Sequence, residues 1–319
     1  EGYSIVIFPE GSRSPTPVLR RFHKGAFFIA SKLNLDIVPI IFHGTSHVQG
    51  KKDNFLLKSG EIMVKYLPRI KAEDVSYGES YSEKTKGISK YFKKEYAEVR
   101  KEVETTAYFY NLLKANYIYK GAILENYMKV KVRLEGNYKL FDSLLPTKGT
   151  ITDIGCGYGF LALMLGYRSS ERTIIGTDYD DYKISVANHC FSKTDNIHFR
   201  TVDATESELE KSDAFILSDV LHYLTKDDQT LLMNNMFRNL NSGGVIIVRD
   251  GDKDLVDRHK GTRLIEFFST NFGFNVKKNN LEFISGSYIE EMAMKNNFKL
   301  KRIDDSKRTS SIIYVISNN

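Results

Sequence analysis

The run Ile151-Thr152-Asp153-Ile154-Gly155-Cys156-Gly157-Tyr158-Gly159-Phe160 sets an aspartate near the end of an apolar stretch, then three glycines within five positions, then an aromatic residue. A strand stopping at Ile154 and a helix opening near Phe160 would be joined by a turn whose glycines admit backbone conformations barred to side chains. Such a turn also lets a ligand approach the main chain closely. Many nucleotide-binding sites share it, so the turn alone says little. Two more carboxylates narrow the chemistry. Asp178 ends the next apolar run, 25 positions after Asp153, where one carboxylate can accept hydrogen bonds from two ribose hydroxyls. Asp203 ends the third, in Val202-Asp203-Ala204, and a fourth run ends in Leu217-Ser218-Asp219-Val220-Leu221-His222-Tyr223.

Carboxylates so far apart in sequence meet only if the segments before them lie side by side. The patterning predicts strands over 150–154, 173–177, 197–202 and 214–217, with helices over 160–165 and 182–191 between them. Alternation of this kind predicts an α/β fold, a mostly parallel sheet sandwiched by helices with its carboxyl ends along one edge. A helical region rich in Tyr and Leu, through Tyr117, Tyr127 and Leu140, leads into it. Further upstream, 3–8 and 36–42 read as buried strands and 24–33 as a helix. Residues 82–103 read as an amphipathic helix, because Ile88, Phe92, Tyr96, Val99 and Val103 recur every three or four places among Lys and Glu. The register changes near 104–107, which sets the expected domains at 1–104 and 105–319.

Asp-Ile-Gly-Cys-Gly-Tyr-Gly at 153–159, Gly176-Thr177-Asp178, the Asp203-Ala204 pair and Ser-Asp-Val-Leu-His-Tyr at 218–223, in this order and spacing, resemble the class I S-adenosylmethionine-dependent methyltransferases. The resemblance implies a Rossmann-like seven-stranded sheet with one antiparallel edge strand, here 309–316, and S-adenosyl-L-methionine as cofactor. By the same resemblance Asp153 and the turn with Gly155, Cys156, Gly157 and Gly159 hold the cofactor's methionine end, Asp178 its ribose, and Asp203 with Ala204 its adenine. Ser218 and Asp219 complete the implied cofactor site at the end of the fourth strand. His222, which by family geometry faces the transferred methyl group, is one candidate catalytic residue. His259 is the other, in the segment after strand five where such enzymes build acceptor pockets. The plain alternatives are a helix cap for Asp203, a structural helix-start histidine for His222 and a solvated surface run around His259. Methyl transfer asks the protein chiefly to hold a nucleophile in line, because the leaving group comes with the cofactor.

At the other end of the chain, Phe8-Pro9-Glu10-Gly11-Ser12-Arg13-Ser14, then Phe22-His23-Lys24-Gly25-Ala26, then Val38-Pro39-Ile40 resemble the glycerolphosphate and lysophospholipid acyltransferases. This implies that 1–104 is the C-terminal part of a truncated α/β acyltransferase domain whose Glu10, Gly11 and Arg13 bind substrate, Glu10 and Arg13 engaging the acceptor's phosphate and glycerol. A guanidinium suits that task, since its planar fork matches phosphate oxygens. The family's catalytic His-x4-Asp lies ahead of Phe-Pro-Glu-Gly, and only seven residues precede Phe8, so the sequence reads as a piece of a longer protein. An acyltransferase followed by a methyltransferase resembles Bacteroidetes-type fusion polypeptides that carry an exporter-like membrane region ahead of both. That resemblance implies an upstream membrane domain and work on lipid-like products at the inner face of the cytoplasmic membrane.

Composition sets limits on these readings. With 20 Phe, 19 Tyr and a hydrophobic fraction of 41%, the 319 residues can build two packed cores, and the disordered and fibrous classes are excluded. No run approaches the roughly 20 apolar residues of a membrane-spanning helix. Cys156 and Cys190 are too few for a disulfide framework and lack metal-ligand spacing, so a reducing cytoplasm is expected and no metal. The net charge of +6 is uneven: 1–104 holds 18 Lys+Arg against 13 Asp+Glu, which leaves 28 against 27 for the rest. The basic excess suits either a solvated face or contact with an anionic membrane surface. The near-neutral remainder has no Asn-Pro-Pro-Tyr-like loop after strand four, which argues against nucleic acid. The expected function is methylation of a small-molecule or lipid-like acceptor, at oxygen. The alternatives are acyl transfer as the main activity of the full-length protein, and a methyltransferase domain that binds cofactor without turning it over.

Overall fold

The computed structural model describes residues 4–14, 18–49, 60–118, 120–135, 137–255, 282–304 and 311–318, and the chain falls into two compact units, 1–111 and 112–319. The first unit holds α1 (Gly25–Lys32), β1 (Ile40–His43), the single turn α2 (Thr45–Val48), β2 (Met63–Tyr66) and α3 (Tyr81–Val103), and α4 (Thr106–Ala115) begins in it. Ser80 and Glu83 form a reciprocal capping box that starts α3, whose buried Ile88 and Val99 face two small apolar clusters built on Phe22, Phe27 and Ile70, and on Ile41 and Leu67. β1 and β2 pair antiparallel, Ile40 opposite Tyr66. The expectation of a buried strand at 3–8 is not met. Residues 4–8 are not in a strand, and Ile5, Val6, Ile7 and Phe8 are 58, 79, 42 and 70% exposed. An apolar run becomes a strand only when another strand takes its backbone hydrogen bonds, and this segment is paired with neither β1 nor β2. The second expected buried strand is shorter and less enclosed than 36–42 suggests, with Val38 and Phe42 both exposed.

The second unit carries α5 (Ala122–Glu135), α6 (Tyr138–Leu144), β3 (Gly149–Ile154), α7 (Phe160–Arg168), β4 (Arg172–Asp178), α8 (Asp181–Asn188), β5 (Ile197–Thr201), β6 (Ser212–Ser218), α9 (Lys226–Asn239), β7 (Leu240–Gly251), α10 (Gly286–Lys295), β8 (Lys299–Ile303) and β9 (Ser311–Ser317). The seven strands stand in the order β5-β4-β3-β6-β7-β9-β8. β3 to β7 are parallel, and β9 runs antiparallel to both its neighbours. This is the Rossmann-like α/β architecture. The antiparallel strand is correct in direction but not in place: β9 lies inside the sheet and β8 is the edge. The residues explain the order. Ser311–Ser317 is apolar and almost wholly buried, as an interior strand must be, whereas Lys299–Ile303 carries two lysines and an arginine on largely exposed positions that suit an edge. Ile154, Phe215, Leu217, Ile246, Val248, Ile312, Tyr314 and Ile316 fill the core beneath the strand ends.

Candidate active site

The turn after β3 takes the shape its glycines allow. Gly155, Gly157 and Gly159 have φ of +70, +55 and +82°. A Cβ on Gly155 would meet Val220 Cγ2 at 2.3 Å, and one on Gly159 would meet Phe199 Cζ at 2.6 Å, so both are required by packing. A Cβ on Gly157 would meet nothing within 4 Å. Its open side faces a cavity at the carboxyl edge of the sheet, lined also by Asp153, Ile154, Cys156, Asp178, Asp203, Ala204, Ser218 and Asp219.

Each carboxylate is held differently. Asp178, 6% exposed, accepts from the Gly157 amide at 2.8 Å and from the Asp180 amide at 3.0 Å, which ties the turn to the end of β4. Asp153 is 3% exposed at the end of β3. Asp203 caps a turn rather than a helix, Oδ1 accepting from the Thr205 amide at 3.0 Å and its hydroxyl at 2.6 Å, while Ala204 packs on the core. Asp219 sits at φ +58°, its carboxylate bound to the Arg249 guanidinium and its amide donating to the Arg249 carbonyl at 2.8 Å. Burial, with Asp153 and Asp178 adding to it, pushes the Cys156 thiol well up and leaves it protonated. Burial also lowers Lys183, against the pull of Asp178 and Asp180.

His222 lies in a single helical turn, Leu221–Tyr223, 1% exposed, behind the cavity rather than among the residues lining it. Its Nδ1 stands 2.6 Å from Asp250 Oδ1, itself buried at the end of β7. His259 lies outside the described residues. In the first unit, Phe8 to Ser12 form a compact turn. Gly11 has φ +69° and its amide donates to Phe8 O at 3.0 Å, and Glu10 Oε2 accepts from the Arg20 amide at 2.7 Å. Arg20, whose guanidinium donates to Ser12 Oγ at 2.6 Å, closes on this turn, while Arg13 is exposed. Sequence reasoning missed Arg20. It also missed the cavity residues supplied by the lead-in helices, Tyr127, Lys131, Tyr138 and Phe141, and Lys183, Tyr223 and Arg249. Only Tyr127 and Lys131 left a signal, four residues apart on one helical face. Among the described residues no three His, Cys, Asp or Glu side chains gather as metal ligands, and no helix is long and apolar enough to cross a membrane.

Residues 151–244 match the family described as a methyltransferase domain, and residues 1–43 match the acyltransferase family. A 1-acyl-sn-glycerol-3-phosphate acyltransferase of Cocos nucifera is 42% identical over 71 residues, 22% of this chain and 23% of that protein. The chain therefore spans about a quarter of the length of the acyltransferases it matches. A carboxy-S-adenosyl-L-methionine synthase of Campylobacter concisus is 26% identical over 112 residues, 35% of this chain and 48% of that one. Among solved structures, an O-methyltransferase family protein from Burkholderia thailandensis aligns with a TM-score of 0.47 and 17% identity, over 60% of this chain and 58% of the other. The chain thus joins a segment of the acyltransferase family, in front, to a class I S-adenosylmethionine-dependent methyltransferase domain behind it.

Proposed function

We propose that the protein transfers a methyl group from S-adenosyl-L-methionine to an oxygen of a small-molecule or lipid-like acceptor. The observation that carries this reading is the convergence of Asp153, Asp178 and Asp203, from the ends of three adjacent strands, on one cavity with the open side of Gly157. These groups fit the cofactor. The space where a Cβ on Gly157 would stand admits a ligand against bare backbone, Asp178 can accept from ribose hydroxyls, and Asp203 can accept from the adenine amino group. When bound, the cofactor supplies an activated methyl group on a sulfonium, which leaves the protein to orient the acceptor and manage its proton.

A hydroxyl acceptor loses its proton as the new bond forms. The carboxylate of Asp250 against His222 Nδ1 favours the tautomer with the proton on Nδ1, which places the basic lone pair on Nε2. This pairing fixes the ring of a residue that does not line the cavity, so oxygen as the acceptor atom rests on the family resemblance, and His222 and His259 are kept as the two candidate catalytic residues. The acyltransferase segment and the basic excess of 1–104 support a lipid-like acceptor presented at the inner face of the cytoplasmic membrane, with a membrane domain upstream in the same polypeptide. Calorimetry with S-adenosylmethionine and its demethylated product tests the cofactor reading, and no heat and no thermal shift at millimolar ligand would end it. Mass spectrometry of the producing cell's lipids and pigments, with and without the gene, tests the acceptor: a species lighter by one methylene is expected to accumulate in the deletion.

A further inference from the structure

Helix α3 gathers lysines of the basic first unit on one side. Its inward side is apolar: Ile88 and Val99 are fully buried, Phe92 sets its ring 5.3 Å from Phe22, and Tyr91 lies 5.5 Å from Tyr77. Outward, Lys86, Lys90, Lys93, Lys94 and Lys101 are all exposed, with Ala97 in their midst. At 3.6 residues per turn these positions fall within an arc of about 100° and run about 22 Å along the helix. From Lys84 to Lys94 the chain has no acid. Of the four glutamates of α3, Glu83 is held by Ser80 in the capping box, Glu95 pairs with Lys65 at 3.4 Å, and Glu98 and Glu102 stand outside the arc.

A solvated helix face is steadied by interleaved opposite charges, as where Lys129 pairs with Glu125 one turn earlier on α5. On α3, Lys86, Lys90 and Lys94 instead follow one another at i,i+4 spacing, where like charges repel and weaken a helix in water. Burial of Ile88 and Val99 on the opposite side holds the row in place against that repulsion. A straight row of fixed cations fits an extended anionic surface. Its chemistry favours lipid headgroups over nucleic acid. The row has no arginine to fork onto a phosphate, and Tyr91 and Phe92 beside it pack on Tyr77 and Phe22 instead of standing out to stack on bases. Ammonium groups on flexible stems suit a fluid array of anionic headgroups.

We propose that the outer face of α3 is a docking surface for an anionic lipid bilayer, touching its headgroups through Lys86, Lys90, Lys93, Lys94 and Lys101 without entering the hydrocarbon. Its purpose rests on the lipid-like acceptor read above. The test is sedimentation of the 319-residue chain with vesicles, with neither S-adenosylmethionine nor S-adenosylhomocysteine present, so that docking and methyl transfer succeed or fail independently. Wild type is expected to bind vesicles of phosphatidylglycerol and phosphatidylcholine at about 0.1 M salt, to release them at about 0.5 M, and to leave pure phosphatidylcholine alone. The quadruple variant Lys86→Gln, Lys90→Gln, Lys93→Gln, Lys94→Gln should bind more than about a hundredfold more weakly, since each lysine at an anionic surface contributes about fivefold. The charge-matched variant Lys226→Gln, Lys295→Gln, Lys299→Gln, Lys301→Gln, at exposed positions of the second unit, should stay within about twofold of wild type, because a charge more than about 10 Å from the headgroups is screened. Circular dichroism should show both variants folded. Equal weakening by the two variants, or a wild type that ignores the anionic vesicles, overturns the docking surface while the calorimetric test of the cofactor stands. Tighter binding to a DNA duplex than to the anionic vesicles, lost in the α3 variant, assigns the face to nucleic acid and overturns it too. Docking as expected, with a cellular product that is not lipid-like, overturns the acceptor reading and leaves the surface standing.

Discussion

At the scale of the residue, the glycines of the turn do different work, and substitution separates it. Gly155→Ala forces a Cβ into Val220 at positive φ and is expected to cost about 1–3 kcal/mol of stability, read from urea unfolding. A Cβ on Gly157 meets no protein atom within 4 Å, but at φ +55° a branched residue strains the turn, so Gly157→Val should lower stability as well as ligand binding, and near-normal binding of S-adenosylhomocysteine by this variant would contradict the placement of the ligand. Asp178→Ala should weaken that ligand by roughly 1.5–3 kcal/mol, the scale of hydrogen bonds to a charged group. It also releases the Gly157 and Asp180 amides, so circular dichroism should accompany the titration and show the fold retained.

At the scale of the element, β1 ends in an unusual place for a histidine. His43 is 2% exposed, neither ring nitrogen has a hydrogen-bond partner, and its ring lies against Tyr96 and Tyr108. Burial, with a smaller push from Arg100 and a counter-pull from the buried Glu104, lowers its pKa below the ordinary 6.5. The folded chain then takes up this proton less readily than the unfolded chain. Stability from this group is full above the unfolded value and is lost as pH falls below it. Urea midpoints should therefore drop between about pH 7.5 and 5.5, and His43→Phe, which keeps the ring contacts, should flatten that drop. An unchanged slope in the variant would show that the proton is taken up elsewhere. The same neighbourhood raises the Tyr108 hydroxyl to about 12, through burial first and Glu104 second, so Tyr108 stays neutral throughout.

At the scale of the whole molecule, the two family segments differ in what they bring. Acyl transfer to a hydroxyl needs a general base within hydrogen-bond reach of it, and none of the residues before Phe8 is a histidine. The His-x4-Asp spacing does occur as His198…Asp203 and His222…Asp227. Neither is a pair in the structure: His198 is exposed on β5 while Asp203 binds Thr205, and the carboxylate on His222 is Asp250, with Asp227 exposed. The purified 319-residue chain, given lysophosphatidic acid and an acyl thioester, is expected to yield no phosphatidic acid above background. Product that vanished on His198→Ala or His222→Ala would place the base in one of those pairs.

The sequence by itself determined the strand–turn–helix at 149–168 and the α/β order that follows, because glycine's conformational freedom and apolar runs of strand length act locally. It also placed the three strand-end carboxylates on one edge, since a parallel sheet puts its strand ends together whatever the details of packing. Tertiary structure alone decided the rest. Whether Ser311–Ser317 or Lys299–Ile303 is the edge depends on pairing across the sheet, and Ile5–Phe8, apolar enough for a strand, lies in none. The partners of His222 and Asp219 come from β7, about 30 residues away, and Tyr127, Lys131, Tyr138 and Phe141 of the cavity lining come from α5 and α6, which precede the glycine turn. Such contacts arise from close packing of distant segments, and no local spacing records them.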